Sequence, residues 1–579
     1  MDPGVPERRI RTIFGVSFLV GTLGTLFFLA GRRCLFVGSP WSLVVPLGAV
    51  AGLAIVFASG MLSVGRQLRP ILFLSGAIGT VFCLAFLPLP PLARDELTHH
   101  LAIPLLYAER GCIHEIPFAQ QSYYPMLLET FYLPAVRWLP DWTARTVHWF
   151  FGLGTLGVLA LGGRILDSPR AASLSVVLLL VTPVFVILAP TAYVDLGLLF
   201  YASLALLAWL EWLASGSPRW LVYSALATGF ACSTKYNGLL LFLLLAATVP
   251  LASPLRDRPT RGFLAAAAFV VLALVPLCPW LLKNWAETGN PLFPLFPEWF
   301  GGRAPLRGAA LDVLSRRRWI HGESWWEIAA VPLRVFLTGR DGDPARFDGS
   351  LGPLLLTAVA SPKFSGRRPF ARRPIWFVAG GYFVLAFFLN DLRARYLLPM
   401  LPLLVWLSAR FLSRARRGVL TAAVLAAIVF LSAHVADKWR RTEPLAYLLG
   451  REDRATFVTR FVPEFPVLEY ANAHLPPRSR LYLLFLGTRS YYCRKPFYYE
   501  TYFSGAHLLE ALRTSRTERD VLGQLRSLGI THLVAGERLL SIYLATNLDD
   551  RELELWRSFA ASHLRPVVGA NGVHLYEVL

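Results

Sequence analysis

The chain has few charged side chains for its length. Only 16% of its 579 residues are charged, 55% are hydrophobic, and the mean hydropathy is +0.49. A soluble chain of this size would form about three or four globular domains with a far more charged surface. The composition therefore excludes an ordinary soluble protein and indicates a protein with many membrane spans.

Cysteine is also scarce, and its spacing excludes a cysteine-ligated metal site. The six cysteines are spread along the chain without a CxxC pair. Cys112 and Cys493 both fall in segments that we expect outside the membrane, where they could form a disulfide or remain free thiols.

Apolar runs with lengths typical of membrane helices recur between Ile13 and Ala436. No small-residue cleavage site follows the first run, so we expect it to remain as a helix rather than to be removed as a signal peptide. The run 351–362 is short for a span and could be re-entrant, and if it does not cross, the topology after it inverts. We predict about thirteen spans, at residues 13–30, 42–62, 71–90, 147–163, 171–190, 196–214, 220–234, 238–253, 263–282, 351–362, 375–390, 396–409 and 418–436.

The formal net charge is +20, yet the basic residues are distributed by membrane side. With the N-terminus in the cytoplasm, about twenty lysines and arginines fall in inner loops and about five in short outer loops, which is the positive-inside pattern. We therefore expect no nucleic-acid partner. The same orientation, in what we expect to be a bacterial plasma (inner) membrane, places residues 91–146, 283–350 and 437–579 outside.

The composition changes after the last predicted span, where polar residues return. RLYLLF, THLVAG and VHLYEV predict strands, and ERDVLGQLRSLG predicts an amphipathic helix closed by glycine. This tail shows no nucleophile motif, phosphate loop or metal cluster, so we expect it to support the site or to recognise an acceptor. The predicted fold class is a polytopic α-helical membrane protein over residues 1–436, followed by an extracytoplasmic soluble α/β domain over residues 437–579.

Ionisable residues gather at the outer ends of the predicted spans. Asp95 and Glu96 directly follow an apolar run in PLPPLARDELTHH, and a carboxylate at a membrane boundary is costly unless a partner or a metal binds it. If the helices bundle, several outer turns can meet around one cavity at the bilayer surface. The later outer turns contribute Asp195, Lys235, Arg393 and Arg395.

These residues also have ordinary structural explanations. Asp95 and Asp195 could each cap the helix that follows. Lys235 and the two arginines could be anchors that extend to the membrane interface. His99 and His100 could be ligands or simply polar residues of a loop helix. Two acidic and two basic turns on one face are harder to explain in this way together.

The combination of charges suits group transfer from a phosphate-linked donor. Carboxylates can bind a divalent cation or accept the proton of an acceptor hydroxyl, while lysine and arginine neutralise the departing phosphate. Arginine suits a phosphate because its planar fork donates two parallel hydrogen bonds. A donor anchored in the bilayer would present its phosphate at the depth of these turns.

Six segments in a fixed order also carry a family resemblance: DELTHHLAIPLLYAERG, YYPMLLETFYLPA, AYVDLGLLFYASLALLAW, STKYNGLLLF, KNWAETGNPLFP and RARYLLPMLP. Through them the chain, from about Pro88 to its end, resembles the C-superfamily membrane glycosyltransferases that use polyprenyl-phosphate sugars. This group contains the protein O-mannosyltransferases and the lipid A aminoarabinose transferase. The chain departs from the family pattern in having two additional spans before the acidic loop, and because two is even the loop stays on the outer face.

The resemblance implies catalytic roles for these residues. Asp95 matches the family's catalytic base or metal-site carboxylate, and Glu96 is the second acid of that motif. Glu129 is a weaker candidate that could be an ordinary loop-helix residue. The predicted metal ligands, for Mg²⁺ or Mn²⁺, are Asp95, Asp195 and His99, and the predicted donor-phosphate residues are Lys235, Tyr236, Arg393 and Arg395.

We therefore predict a glycosyltransferase that moves a hexose or pentose from a polyprenyl-phosphate donor to a hydroxyl of a lipid, glycan or protein acceptor, with inversion. The outer loop 283–350, with its amphipathic WIHGESWWEIAAVPLRVF, would cover the cavity or pack as an ordinary loop. The main alternative is a transporter or flippase of lipid-linked sugars, which predicts charges deep within spans and internal repeats. A non-catalytic scaffold predicts that removing the acids has no effect.

Overall fold

The computed structural model describes residues 5–65, 68–251, 259–300, 312–361, 372–389, 392–500 and 506–579. Apolar helices form most of the chain up to residue 442, because a helix satisfies its own backbone hydrogen bonds in lipid. The first twelve are α1 (Glu7–Arg32), α2 (Val44–Met61), α3 (Arg69–Phe86), α4 (Ala102–Arg110), α5 (Leu127–Trp138), α6 (Trp142–Leu166), α7 (Pro169–Leu180), α8 (Pro183–Leu188), α9 (Asp195–Ser215), α10 (Pro218–Thr234), α11 (Gly238–Thr248) and α12 (Pro259–Thr288).

Eight helical segments in these ranges are long and apolar enough to cross a membrane: α1, α2, α3, α6, α9 and α12, and, described below, α19 and α18 together with the 3-10 helix Ala394–Met400 that precedes it. Three predicted spans, at α7, α11 and α17, are shorter apolar helices. The span predicted at 171–190 is divided between α7 and α8, since Pro183 cannot continue the hydrogen-bond ladder of α7. The next helices are α13 (Pro297–Phe300), α14 (Val313–Ser315), α15 (Trp325–Ala329), α16 (Val331–Leu337), α17 (Arg372–Leu389), α18 (Leu401–Leu412) and α19 (Arg417–Thr442).

The segment predicted as the span 351–362 is a short 3-10 helix, Pro353–Ala360. The Ser350 carbonyl accepts from the Val184 N–H at 3.0 Å, and the Leu355 carbonyl accepts from the Ser408 hydroxyl at 3.2 Å. The segment therefore runs beside α8 and α18 inside the bundle. The inversion considered for this case does not occur, because the turn after α17 meets the turn after α3 on one side, as described below.

Helix α9 lies at the centre of the bundle and is entirely buried, whereas α3, α12 and α19 are largely exposed on its periphery. The two helices that precede α3 are part of this packing. A β-carbon on Gly60 of α2 would lie 2.1 Å from the Gly157 carbonyl oxygen of α6, so these two backbones touch. The additional N-terminal spans therefore support α6, the helix that carries Arg145.

One disulfide joins the end of the first helix to the end of α4. Cys34, just after α1, is bonded to Cys112, just after α4. The pairing of Cys112 with Cys493, one of the two possibilities left open above, does not occur, because Cys112 is bonded to Cys34 and Cys493 is a buried free thiol. The bond fixes the end of α4 against α1.

Helix α19 continues past residue 436, the predicted end of the last span, to Thr442, with Lys438 and Arg441 paired to Asp341. The tail contains a five-stranded sheet in the order β2-β1-β3-β5-β4, parallel between β2, β1 and β3 and antiparallel from β3 to β5 and β4. Its elements are α20 (Pro444–Leu448), α21 (Arg454–Thr459), α22 (Phe465–His474), β1 (Leu481–Leu484), β2 (Phe497–Tyr499), α23 (Ala506–Thr514), α24 (Glu518–Ser527), β3 (His532–Gly536), α25 (Glu537–Asn547), α26 (Asp550–His563), β4 (Leu564–Ala570) and β5 (Val573–Val578).

The loop that follows β1 packs on the loop that carries Asp95 and Glu96. The backbone N–H groups of Ser490 and Tyr491 donate to the Leu97 carbonyl at 3.0 and 3.1 Å. The Tyr492 hydroxyl donates to the Pro91 carbonyl at 2.7 Å. The tail therefore fixes one side of the loop that carries Asp95 and Glu96, and Arg145 of α6 fixes another side.

Candidate active site

Arg395 is the centre of a buried charge cluster at one end of the helix bundle. It lies in the 3-10 helix Ala394–Met400 that leads into α18. Its guanidinium stacks against Tyr193 and Tyr396, with Cζ 4.8 and 5.2 Å from the two ring centroids. Nη2 donates to Asp95 Oδ2 at 2.6 Å, and Nη1 lies 3.9 Å from Asp195 Oδ2. One arginine therefore joins two of the predicted acidic residues.

Asp195 and Lys235 form the second pair of this cluster. Asp195 is the first residue of α9 and Lys235 follows the last residue of α10, and the two helices are joined by a short connection at their other ends, so these residues lie side by side. Lys235 Nζ donates to Asp195 Oδ1 at 2.9 Å, and the aspartate side chain is fully buried. Lys235 is thus an ion-pair partner inside the bundle and not an anchor extended into the interface.

The capping explanations fail for both aspartates. The residue at the N-cap of α9 is Val194. Asp95 does precede a helical turn, the π-type turn Glu96–His100, but its side chain makes no capping hydrogen bond. Although burial would raise the pKa of the Asp95 carboxyl, the Arg395 guanidinium holds that pKa well below its usual range. Asp95 is therefore a carboxylate at neutral pH.

Glu96, the second acid of the motif, faces the opposite way. Its oxygens accept from the N–H groups of Leu92, Ala93 and Ala192 at 3.2, 3.0 and 2.6 Å. Arg145 of α6 donates to it through Nε and Nη2, both at 2.8 Å. The carboxylate has no exposed surface, and both of its oxygens are occupied. The predicted catalytic role of Glu96 finds no support in this geometry, because the group anchors the loop.

The two histidines lie beside Asp95 as neutral groups. His99 Nδ1 shares a hydrogen bond with the Thr98 hydroxyl at 2.8 Å, and burial lowers the pKa of His99 to about 4. His100 Nδ1 shares one with Glu129 Oε1 at 2.7 Å. Burial lowers the pKa of His100 and raises that of Glu129 to about 8, so this pair is also uncharged near neutral pH.

The predicted metal ligands do not form a ready cation site. Asp95 and Asp195 lie at different nitrogens of Arg395, and Asp195 is also paired with Lys235. Within the described part of the chain, no three His, Cys, Asp or Glu side chains are grouped in a way that would hold a metal ion. Both carboxylates would have to exchange their basic partners for Mg²⁺ or Mn²⁺, so the residues as placed do not fit the metal.

The predicted donor-phosphate residues separate into two groups. Lys235 and Arg395 belong to the charge cluster. Arg393 lies at its edge, where Nη1 is 3.4 Å from Asp348 Oδ2. The Tyr236 hydroxyl is directed elsewhere and donates to the Phe293 carbonyl at 2.9 Å.

Three residues of the cluster, Tyr193, Asp348 and Tyr396, were not identified from the sequence, and neither was Arg145, the partner of Glu96. An arginine near the start of the largely apolar α6 is a detectable signal, since a buried charge requires a partner. Tyr193 lies two residues before Asp195, and Tyr396 directly follows Arg395. Asp348, in RFDGS, lies in an aperiodic loop that gives no comparable signal.

Residues 138–282 match the family model described as dolichyl-phosphate-mannose-protein mannosyltransferase. The match includes Arg145, Asp195 and Lys235 but neither Asp95 nor Arg395. Among curated protein sequences, none matches the chain significantly.

Solved structures are similar over most of the chain. ArnT from Cupriavidus metallidurans bound to undecaprenyl phosphate is 16% identical with a TM-score of 0.52, and the match covers 88% of this chain and 98% of that one. The apo state of the same protein gives 0.54 at the same identity and coverage. The archaeal oligosaccharyltransferase AglB from Archaeoglobus fulgidus is 12% identical over 89% of this chain and 75% of its own, with a TM-score of 0.43.

The likeness to ArnT at this identity is one of fold, and the family match is one of sequence over α6 to α12. The chain is thus a multi-span membrane protein with the ArnT fold, and its resemblance to the C-superfamily membrane glycosyltransferases is confirmed.

Proposed function

We propose that this protein is an integral-membrane glycosyltransferase that moves a sugar from a polyprenyl-phosphate donor to an acceptor hydroxyl on the extracytoplasmic face, with inversion. Arg395 is the observation that carries the proposal. Its Nε and Nη1 are buried and have no hydrogen-bond partner among the described residues, although the guanidinium is held rigidly by two rings and Asp95. A buried donor without an acceptor is unfavourable, and a phosphate oxygen is the acceptor that this fork fits.

The geometry suggests how one residue could serve both ends of the reaction. The Asp95 carboxylate occupies Nη2, and the donor phosphate would accept from Nη1 of the same guanidinium. The acceptor oxygen attacks the anomeric carbon, the bond from that carbon to the phosphate oxygen breaks, and Asp95 takes the hydroxyl proton. The phosphate leaves with one more negative charge, which Arg395 and Lys235 offset.

Phosphate binding also prepares Asp95 for this step. In the absence of donor, Arg395 holds the proton affinity of Asp95 low. A phosphate on the same guanidinium competes for its positive charge and adds a negative charge nearby, and both effects raise the pKa of the carboxyl. The base therefore becomes stronger when the donor is present.

An apolar cleft within the helix bundle supports a lipid-linked donor. It lies between α2, α3, α6, α7 and α8 and has a volume of about 210 Å³. It extends to Ala189, close in sequence to Ala192, whose N–H binds Glu96. An isoprenoid chain in this cleft would be shielded from water while its phosphate stays at the outer surface.

Two observations support the proposed orientation, with the cluster and the tail outside and the N-terminus in the cytoplasm of a bacterial inner membrane. Basic residues concentrate in the loops on the opposite side. The Cys34–Cys112 disulfide lies on the side of the cluster, and disulfides persist in oxidising compartments outside the cytoplasm.

A reconstituted system tests the activity. Purified protein in liposomes would receive labelled polyprenyl-phosphate hexoses and pentoses together with lipid, glycan and protein fractions as acceptors, and wild type would be compared with Asp95→Asn. We expect label in one acceptor fraction with wild type and about 10³-fold less with the variant. Equal transfer by both would remove Asp95 as the base.

The same assay separates the other functions. Movement of the labelled lipid across the bilayer without transfer would identify a flippase, and neither movement nor transfer with any donor would favour a scaffold. The predicted divalent cation is tested by chelation, because loss of transfer that Mg²⁺ or Mn²⁺ restores would show that the carboxylates exchange their basic partners for a metal.

A further inference from the structure

The turn 347–349 lies directly beside the arginines of the cluster and has an unfavourable backbone. Phe347, Asp348 and Gly349 have φ values of 63°, 46° and 137°. A left-handed backbone is unfavourable for residues with a β-carbon, and such residues persist where the surrounding structure enforces them. Two non-glycine residues in succession make this turn unusual in the molecule.

A buried group of ion pairs packs against Phe347 and holds this turn in place. Phe347 is fully buried, with the Arg317 and Arg334 Cζ atoms 4.7 and 5.5 Å from its ring centroid. Arg317 donates to both oxygens of Glu323 at 2.6 and 2.7 Å, and Arg334 pairs with the same carboxylate at 2.9 Å. This part of the outer segment therefore serves as a rigid support for the turn.

The turn also contacts the segment that carries Arg393 and Arg395. The Ala394 N–H, between Arg393 and Arg395, donates to the Phe347 carbonyl at 2.7 Å. A β-carbon on Gly349 would lie 3.4 Å from Ala394 Cβ, so the two backbones are in close contact. The position of residues 393–395 is thus set by residues 347–349.

Asp348 adds a charged contact to this grip. Its Oδ1 accepts from the Gly342 N–H at 2.9 Å, which fixes the carboxylate, and its Oδ2 is 3.4 Å from Arg393 Nη1. Arg393 Nε is buried and has no hydrogen-bond partner in the described ranges. Asp348 therefore holds one side of the guanidinium and leaves another donor open, as Asp95 does for Arg395.

We propose that Asp348 is a positioning residue for the donor phosphate. Its carboxylate fixes Arg393, and the turn 347–349 fixes Arg395, so that open N–H donors of both arginines face the phosphate. The inference rests on the proposed function, since it assigns these donors to the same ligand. Asp348 itself touches neither the anomeric carbon nor the acceptor.

Burial raises the pKa of Asp348, and Arg395 and Arg393 act against that rise while Asp341 adds to it. The carboxylate is therefore stabilised chiefly by the arginines it positions. This mutual dependence predicts that removing either partner of the Asp348–Arg393 pair has the same consequence as removing both.

The test is a double-mutant cycle on donor kinetics with Asp348→Asn, Arg393→Gln and their combination. Asparagine tolerates a left-handed backbone, so the first variant removes the charge while leaving the turn intact. Asp312→Asn is the matched control, because Asp312 is an exposed aspartate of the same outer segment that only caps α14. We expect each single variant to raise the donor KM about tenfold with kcat and acceptor KM unchanged, and the double variant to be no worse than Arg393→Gln within about twofold.

The inference fails if the increases in donor KM of the two single variants multiply in the double variant. It also fails if Asp348→Asn leaves donor KM unchanged, or changes only kcat or acceptor KM. Binding of a sugar-free polyprenyl phosphate separates this failure from failure of the proposed function. If wild type does not bind the lipid phosphate, the proposed function fails. If wild type and Asp348→Asn bind it equally, the positioning role fails and the transferase proposal stands.

Discussion

Asp95 and Glu96 are neighbours in sequence and belong to two different regions of the structure. Asp95 faces the Arg395 cluster, where its side chain is 20% exposed and the arginine keeps unfilled hydrogen-bond donors. Glu96 faces the Arg145 anchor, where its side chain has no exposed surface and accepts five hydrogen bonds. Both are buried ion pairs between a carboxylate and an arginine.

The difference shows how a substrate site can be distinguished from a structural anchor. An anchor satisfies every polar atom within the protein, because a buried group without a partner destabilises the fold. A binding site keeps some donors unfilled until the ligand arrives. The unfilled donors around Arg395 and the filled ones around Arg145 therefore predict opposite effects of mutation, on activity in one region and on stability in the other.

Asp95→Asn should have the largest effect and confine it to catalysis. We expect transfer to fall about 10³-fold, because asparagine cannot accept the hydroxyl proton. The free energy of unfolding should fall by less than in the Glu96 variant below, since the amide oxygen still accepts from Arg395 and Asp195 remains as its counter-ion. Single-turnover transfer and denaturant unfolding in detergent measure the two quantities, and a loss of stability larger than the loss of activity would remove the distinction between the regions.

Glu96→Gln should produce the reverse pattern. Neutralising this carboxylate leaves the Arg145 charge buried without a counter-ion, so the free energy of unfolding should fall by about 3 kcal/mol. The folded fraction should keep most of its donor affinity, because Glu96 does not contact the cluster. Unfolding measured beside lipid-phosphate binding checks both parts. A fully stable variant that has lost turnover would show instead that Glu96 takes part in the chemistry.

Arg395→Lys should weaken the donor interaction about 50-fold in KM. Lysine keeps the charge but lacks the planar fork that serves Asp95 and a phosphate at once. Arg410→Lys is a matched control, because Arg410 is a buried arginine of α18 paired with Asp167 at 2.7 Å, far along the helix from the cluster. Equal donor KM values for the two variants would argue against a phosphate at Arg395.

Removing the disulfide should act on the anchor region. The pair Cys34→Ser and Cys112→Ser frees the end of α4 from α1, and we expect the free energy of unfolding to fall by about 2 kcal/mol. Wild type treated with reductant should match the double variant in a thermal unfolding assay. Activity at a temperature well below the transition should be unchanged, and a selective loss of turnover would connect this bond to the cluster.

The smallest effect concerns the buried Glu129–His100 pair. The folded-state pKa of Glu129 is raised to about 8 from an ordinary 4.5, so its contribution to stability is complete below about pH 4.5 and is lost as the pH rises through 8. Glu129→Gln has no such proton to lose. We expect its stability relative to wild type to increase by about 1 kcal/mol between pH 5 and pH 6. A difference independent of pH in thermal unfolding would contradict the raised pKa.

Much of the fold could be predicted because hydrophobicity and turn chemistry are local. Strands β1, β3 and β5 and helix α24 lie where the tail pattern placed them. Strand β2 was not predicted because it has only three residues, and β4 was not because it is a largely exposed edge strand without a clear alternation. The interruption of the helix between α7 and α8 follows from Pro183, but the apolar composition on both sides concealed it.

The grouping of Asp95, Asp195, Lys235 and Arg395 could also be expected, since all four lie at the same ends of their helices. The partners within the group could not. Arg393 and Arg395 are two residues apart, yet one meets Asp348 and the other Asp95. Tyr236 follows Lys235 directly, and its hydroxyl is turned to Phe293.

The sequence by itself determined that this is a membrane protein, which side its basic residues favour, and which acidic and basic turns share one face. These properties depend on composition and on the order of apolar runs. Only the tertiary structure decided that Asp95 faces an arginine with open donors while Glu96 fills its own, and that Asp348 belongs to the same cluster. The physical reason is that a buried charge is defined by the partners that replace its water, and those partners come from distant segments of the chain.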